Sequence, residues 1–169
     1  MPYRHHLAAL AALAFIATAS AQTLAPPIAG TGPGFHDPRS PFKPLEERDG
    51  ILSWKLLSGV QTKTEKDRVT PSFPAPVRAL NDKTVRVQGF MLPLEPGDKH
   101  KHFLRSSVPT TCSFCVPAGP GGLIEVRSKI PVKYTLEPVV VEGRLAVLEK
   151  DPYGLFYRVS EAVPTPAST

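Results

Sequence analysis

The residues best able to do chemistry are Cys112 and Cys115, the only two cysteines among 169 residues. Two residues separate them. At that spacing two thiols can bind a metal ion, cycle as a dithiol or close a disulfide. The choice among these uses depends on the compartment and on the neighbouring residues.

Two histidines, His100 and His102, precede the cysteines. If a strand begins at His100, both imidazoles project from one of its faces. Two histidines and two cysteines make a tetrahedral set for Zn²⁺, or a soft site for Cu(I). The sequence therefore predicts a zinc site at Cys112, Cys115, His102 and His100, with copper as the alternative metal. Alternatively, the two histidines simply lie at the solvent-exposed start of a strand. Met91 could add a thioether to a copper site, but it is more simply a core residue.

The residues after Cys115 disfavour a thioredoxin-like role. In that mechanism Cys-x-x-Cys opens a helix whose N-terminus lowers the pKa of the first thiol. Pro117, Pro120 and three glycines follow here, so no helix begins there. A structural or regulatory disulfide has the same support as the metal site, although so small a loop adds little stability. No enzyme is expected, because no catalytic triad pattern or phosphate loop is visible; thiol redox activity stays open.

The N-terminus predicts export. Residues 1–21 combine a basic start, an apolar run and a small-residue end at Ala19-Ser20-Ala21, which is typical of a signal peptide cut after Ala21. The apolar run is short for a membrane span, and no cysteine follows the cut to carry a lipid anchor. We expect a periplasmic or secreted protein without a membrane anchor. The formal charge of +5 is scattered along the chain, which argues against nucleic-acid binding.

Composition divides the remaining chain into three parts. Residues 22–48 are rich in proline and glycine and are predicted to be a disordered leader, and residues 164–169 a disordered tail. Residues 49–163 are predicted to form one β-barrel domain. Trp54, the only tryptophan, is expected to pack against that domain from a short helix or an extended arm.

The domain alternates apolar and polar residues in short runs, which predicts five strands. In the first, the apolar positions switch parity at Gly89, from Val87 to Phe90, which suggests a bulge or a sharp bend. In the third, Ile130 is expected to face inward with Ile124 and Val126. The predicted strands cover residues 84–94, 102–108, 123–130, 139–148 and 155–163, with Gly143 a second structural glycine. We predict a mainly β fold, a small five-stranded OB-like barrel, because the alternative sandwich leaves more open edges.

The motif order resembles an exported bacterial family, the domain-of-unknown-function family thirty-two ninety-nine. The resemblance covers about residues 50–162. It is carried by Ser53-Trp54-Lys55-Leu56-Leu57, Gly89-Phe90-Met91-Leu92-Pro93-Leu94-Glu95, His102-Phe103-Leu104 and Cys112-Ser113-Phe114-Cys115.

Members similar to this chain are often encoded beside metal-responsive ABC importers. The resemblance therefore implies a non-enzymatic accessory protein that binds or delivers a transition metal, zinc first, with a periplasmic importer component as partner. The matching ligand positions are His102, Cys112 and Cys115. Two alternatives stay open: an OB-like binding module for a protein or small ligand with a structural Cys112–Cys115 disulfide, and a thiol–disulfide redox partner.

Overall fold

The computed structural model describes residues 34–65, 68–116 and 118–166. The predicted signal peptide, the leader up to residue 33 and the last three residues of the tail lie outside these ranges. Within them, no helix has the length and apolar character needed to cross a membrane.

Short helices and a hairpin precede the main strands. Helix α1 covers Trp54–Ser58, strands β1 (Gln61–Glu65) and β2 (Arg68–Ser72) pair antiparallel, and the four-residue helix α2 covers Ala75–Arg78. The five longer strands are β3 (Thr84–Pro93), β4 (Lys99–Ser106), β5 (Leu123–Lys133), β6 (Val139–Val147) and β7 (Tyr157–Thr165). A 3₁₀ turn at Pro120–Gly122 leads into β5.

Strands β3 to β7 close a barrel in the order β3-β4-β5-β7-β6, and β6 pairs back onto β3. The β5–β7 pair is parallel and the other four pairs are antiparallel. This order is that of an OB-like Greek-key barrel. The predicted fold class is confirmed.

Gly89 does not mark a change of face. Val87 and Met91, on either side of it, both belong to the core, so odd-numbered residues point inward along β3. The predicted parity switch is wrong, and the β3 pairings run without a register shift. The glycine is required for another reason, because a Cβ there would lie 2.7 Å from Cγ of Arg105 and 2.9 Å from the Ser106 carbonyl oxygen.

Arg105 lies inside the barrel. It stands opposite Met91 and Ile124, both core residues, and is fully buried. Its Nη1 donates to the carbonyl oxygens of Gly89, at 3.0 Å, and of Val139. Burial lowers the pKa of Arg105 to about 9. The guanidinium thus ties β4 to β3 at Gly89 and to β6 at Val139.

A second close approach requires Gly143. A Cβ there would lie 2.7 Å from the Ser160 carbonyl oxygen and 2.7 Å from Cγ1 of Val159. The β6–β7 register shifts at this point, so the two backbones approach closely.

The third strand departs from its predicted alternation. Ile124 and Val126 are buried as expected, but Ile130 is 50% exposed. The β4–β5 register shifts between His100 and His102, and β5 also shifts against β7 after Val126. Ile130 lies in the stretch of β5 between Arg127 and Val132 that has no partner on β4, whereas Val132, where the pairing resumes, is again buried in the core; the prediction for Ile130 is wrong.

Helix α1 is fixed to the barrel by hydrogen bonds at both ends. The Trp54 indole N–H donates to the Gln88 carbonyl at 2.7 Å, and the Tyr157 hydroxyl donates to the Leu57 carbonyl at 2.7 Å. Leu57 is buried in the core cluster. The prediction that Trp54 packs against the domain is confirmed.

Residues 34–48, predicted to belong to a disordered leader, form an arm with defined contacts. The Phe42 ring meets Phe90 edge-on with centroids 6.3 Å apart, and Asp37 is buried. At the other end, β7 includes Pro164 and Thr165 of the predicted tail. The packed chain therefore extends beyond both predicted borders.

We predict that Gly89→Ala lowers the free energy of unfolding by about 1–3 kcal/mol, because the added methyl forces Arg105 and the β4 backbone to move. Urea denaturation measures the effect. Gly119→Ala is the matched control, since a Cβ there meets no described atom within 4 Å and should leave stability unchanged or slightly higher. Equal stability of the two variants would contradict this role for Gly89.

Candidate functional site

The two cysteines form a disulfide in the loop between β4 and the 3₁₀ turn. We call its described residues, 107–116 and 118–119, the disulfide loop. The Cys115 backbone N–H donates to the Cys112 carbonyl at 3.3 Å, and Cys112 is buried. Because the two sulfur atoms are bonded to each other, the loop presents no thiolate in this state.

The two predicted histidine ligands lie in different surroundings. His100 is 1% exposed and its Nε2 lies 2.9 Å from the Gly97 carbonyl. The His102 side chain is 51% exposed and its Nε2 lies 2.8 Å from Oε1 of Glu125. The β4–β5 register shift falls between them, so the expected shared face is not formed.

Across the described ranges, no group of three or more His, Cys, Asp or Glu side chains is placed to hold a metal ion. The structure therefore does not gather Cys112, Cys115, His102 and His100. Zinc or copper binding at these residues stays a prediction. It requires reduction of the disulfide to thiolates and a movement that brings the imidazoles to the loop.

The partner of His102 is a buried carboxylate that the sequence did not single out. Glu125 accepts hydrogen bonds from His102, from Nε of Arg127 at 2.9 Å and from Nε of Arg158. Burial raises the pKa of Glu125, but the hydrogen bonds from Arg158, Arg127 and His102 outweigh it and hold the pKa below its ordinary value. This network joins the outer faces of β4, β5 and β7.

The arm is joined to the disulfide loop by reciprocal backbone hydrogen bonds. The Gly34 N–H donates to the Val116 carbonyl at 3.1 Å, and the Val116 N–H donates to the Phe35 carbonyl at 3.0 Å. The Ser40 hydroxyl lies 3.3 Å from Sγ of Cys112. The arm therefore attaches at the disulfide itself and immediately after it.

Arg39 adds a side-chain contact between the same two segments. Its guanidinium lies over the Phe114 ring, 5.0 Å from the centroid. The same group pairs with both carboxylate oxygens of Asp37 at 2.9 Å. The hydrogen bonds from Arg39 lower the pKa of Asp37 to about 2.

The arm, α1 and the 3₁₀ turn enclose a cleft of about 710 Å³ against the barrel. Volumes of this size are typical of small-molecule sites. Most of the lining is apolar and includes Trp54, Val60 and Phe156; His36 and Gln88 are among its polar residues. His36 was passed over in the sequence as part of a leader, and Gln88 carried only the weak signal of one amide in an apolar strand.

The fold and this cleft define an OB-like barrel protein with a ligand-sized cleft beside a disulfide loop. A family model described as "Protein of unknown function (DUF3299)" matches residues 42–154. The chain belongs to this family, as the sequence resemblance indicated.

A DUF3299 family protein from Pseudomonas aeruginosa PAO1, known from a crystal structure, is similar to this chain. The two are 19% identical, the match covers 59% of this chain and 70% of the other, and the TM-score is 0.45. Among curated proteins, no match was found.

We predict that Glu125→Gln lowers the free energy of unfolding at pH 7 by about 2 kcal/mol, because it removes the charge that Arg127 and Arg158 bind. The control is Glu149→Gln, an exposed carboxylate, which should change stability little. Urea denaturation of both variants measures the difference.

The effect of Glu125→Gln should depend on pH. Because the folded-state pKa of Glu125 lies below the ordinary value of 4.5, its contribution is fully present above pH 4.5. It is lost as the pH falls through the folded-state pKa, so the gap between native protein and variant should close in acid. A gap that persists or widens there would contradict the ion-pair network.

Proposed function

We propose that this protein is an exported, non-enzymatic binding module that holds a ligand in the cleft between its arm and its barrel, with Cys112–Cys115 as a structural disulfide. The observation that carries the proposal is that each of the two walls of the cleft is attached to the rest of the domain by hydrogen bonds. One wall is α1, anchored through Trp54 and Tyr157. The other is the arm, anchored on Val116.

Anchored walls favour binding because a preformed site loses little conformational freedom when a ligand enters. The α1 anchors are two buried or half-buried hydrogen bonds of 2.7 Å each. The arm anchors include a backbone pair and an Arg39–Phe114 contact. The cleft is therefore preformed in the fold.

The disulfide supports this function locally. A bridge between Cys112 and Cys115 closes too small a loop to contribute much to global stability. It restricts the backbone at the place where the arm attaches. Such a bond persists in an oxidising compartment, which agrees with the signal-like segment at residues 1–21 and with a periplasmic or secreted location.

Transition-metal binding or delivery, with zinc or copper held by Cys112, Cys115 and His102, is the second proposal. One observation favours it: Glu125 fixes the His102 imidazole through Nε2 and leaves Nδ1 for another partner. Carboxylate-oriented imidazoles are common among metal ligands. This function would operate only in the reduced protein, with an importer component as the receiving partner.

Binding in the cleft can be tested with N-phenyl-1-naphthylamine, a neutral apolar fluorophore whose emission rises in apolar surroundings. We expect saturable binding that Ser58→Trp weakens at least about tenfold, because Ser58 lines the cleft and an indole there fills it. Fluorescence titration measures the dissociation constants.

The matched control is Lys101→Trp, which adds the same indole at an exposed position of β4 outside the cleft lining. It should bind the fluorophore as the native protein does. If the native protein does not bind, or if both tryptophan variants bind equally, the cleft is not a ligand site.

A further inference from the structure

The two ends of the disulfide differ in exposure. Cys112 is only 7% exposed, whereas Cys115 is half-buried. In thiol–disulfide exchange, an incoming thiolate bonds to one sulfur of the disulfide and displaces the other. The difference in exposure therefore favours attack at Cys115, with Cys112 as the sulfur that is displaced.

The Ser40 hydroxyl lies where it can stabilise the displaced sulfur, 3.3 Å from Sγ of Cys112. A disulfide sulfur carries no hydrogen, so the hydroxyl is the donor in this contact. The same hydroxyl oxygen accepts a hydrogen bond from the Phe42 N–H at 3.1 Å, which leaves its own hydrogen for the sulfur. Ser40 thus directs an O–H group at Cys112 while the disulfide is still closed.

The arm holds Ser40 in this position from both sides. The Ser40 N–H donates to the Asp37 carbonyl at 2.9 Å, and the Phe42 ring packs edge-on against Phe90. The neighbouring Arg39 is paired with both carboxylate oxygens of Asp37, so its charge is balanced within the arm. The hydroxyl, rather than an unpaired positive charge, is therefore what the arm offers to the sulfur.

The contact from Ser40 favours the reduced state of Cys112 over the bonded state. Hydrogen bonds to an ionised acceptor are roughly twice as strong as those between neutral groups, so this contact strengthens when the sulfur leaves as a thiolate. A better stabilised thiolate leaves faster. Thioredoxin-like sites obtain such stabilisation from a helix N-terminus, whereas here a side chain of the arm supplies the donor.

We infer that Cys112–Cys115 is a thiol–disulfide exchange site, at which a dithiol attacks Sγ of Cys115 and Cys112 leaves as a thiolate stabilised by Ser40. This inference goes beyond the proposed function, which uses only the closed disulfide.

The exchange proceeds in two steps. One thiolate of the dithiol forms a bond to Sγ of Cys115, and the electron pair of the breaking disulfide bond goes to Sγ of Cys112. The second thiolate then attacks the sulfur of the reductant in this mixed disulfide and releases Cys115. The dithiol gives up two electrons and ends as a disulfide, and its two protons are taken up by the two cysteines.

Reduced glutathione, a monothiol, tests the direction of attack. Its reaction with the native protein is stopped with excess N-ethylmaleimide, and tandem mass spectrometry locates both groups on the peptide. We expect glutathione on Cys115 and the maleimide on Cys112. Glutathione on Cys112 in equal or greater amount, or no reaction of the folded protein, would overturn the inference.

Dithiothreitol, a dithiol, tests the role of Ser40. Ser40→Ala should slow reduction of the disulfide about fivefold, the effect of one hydrogen bond, and Ser40→Thr, which keeps the hydroxyl, should retain most of the native rate. Ser113→Ala, at an exposed position of the same loop, is the matched control and should reduce as the native protein does.

The rates are measured by alkylating the protein at timed intervals and weighing it by mass spectrometry. An unchanged or faster rate in Ser40→Ala overturns the inference, as does a rate in Ser40→Thr or Ser113→Ala as low as that in Ser40→Ala. Neither experiment requires the cleft to bind a ligand, so the proposed function and this inference can fail separately.

Discussion

The pair of backbone hydrogen bonds between the arm and Val116 is the interaction on which the cleft depends. Without it, Gly34 and Phe35 would lose their backbone attachment to the disulfide loop, and the arm would be held only by side-chain contacts such as that of Phe42 with Phe90. Val116 follows Cys115 directly, so the disulfide sets the backbone that presents its N–H and carbonyl. A bond with little effect on global stability can thus determine the shape of a site.

The barrel was predictable because its signals are local. Alternating apolar residues and turn residues marked five strands, and a closed arrangement follows from the need to cover edges. The β1–β2 hairpin was missed because it offers little apolar alternation, and Val69 of β2 is 51% exposed. Register could not be predicted, since the shift between His100 and His102 depends on how β4 meets β5.

The role of Gly89 likewise depends on contacts between strands, which the sequence does not show. The sequence pattern marked Gly89 as a strand position where a bulge or a sharp bend was expected. Instead, the side chain of Arg105, from the neighbouring strand, lies against Gly89 inside the barrel and donates to two carbonyl oxygens. Nothing local to Arg105 marks it as a core residue, because a buried guanidinium is rare and is defined only by its surroundings.

The candidate site was predictable in part. Spacing alone found Cys112 and Cys115, but the choice between disulfide and metal depended on distances between segments. His36 and Gln88 could not be assigned to the cleft from the sequence, since the cleft that they line is formed by segments far apart in the chain.

Backbone hydrogen exchange at Gly34 and Val116 tests most directly whether the disulfide holds the arm. The exchange rates of these two amides are compared between the native protein and the Cys112→Ser, Cys115→Ser double variant. If the disulfide holds the arm, both amides are protected in the native protein and exchange at least about tenfold faster in the variant, while barrel amides such as Leu145 keep their protection. Unchanged exchange at Gly34 and Val116 would show that the arm is held without the disulfide, and would contradict the claim that this bond shapes the cleft.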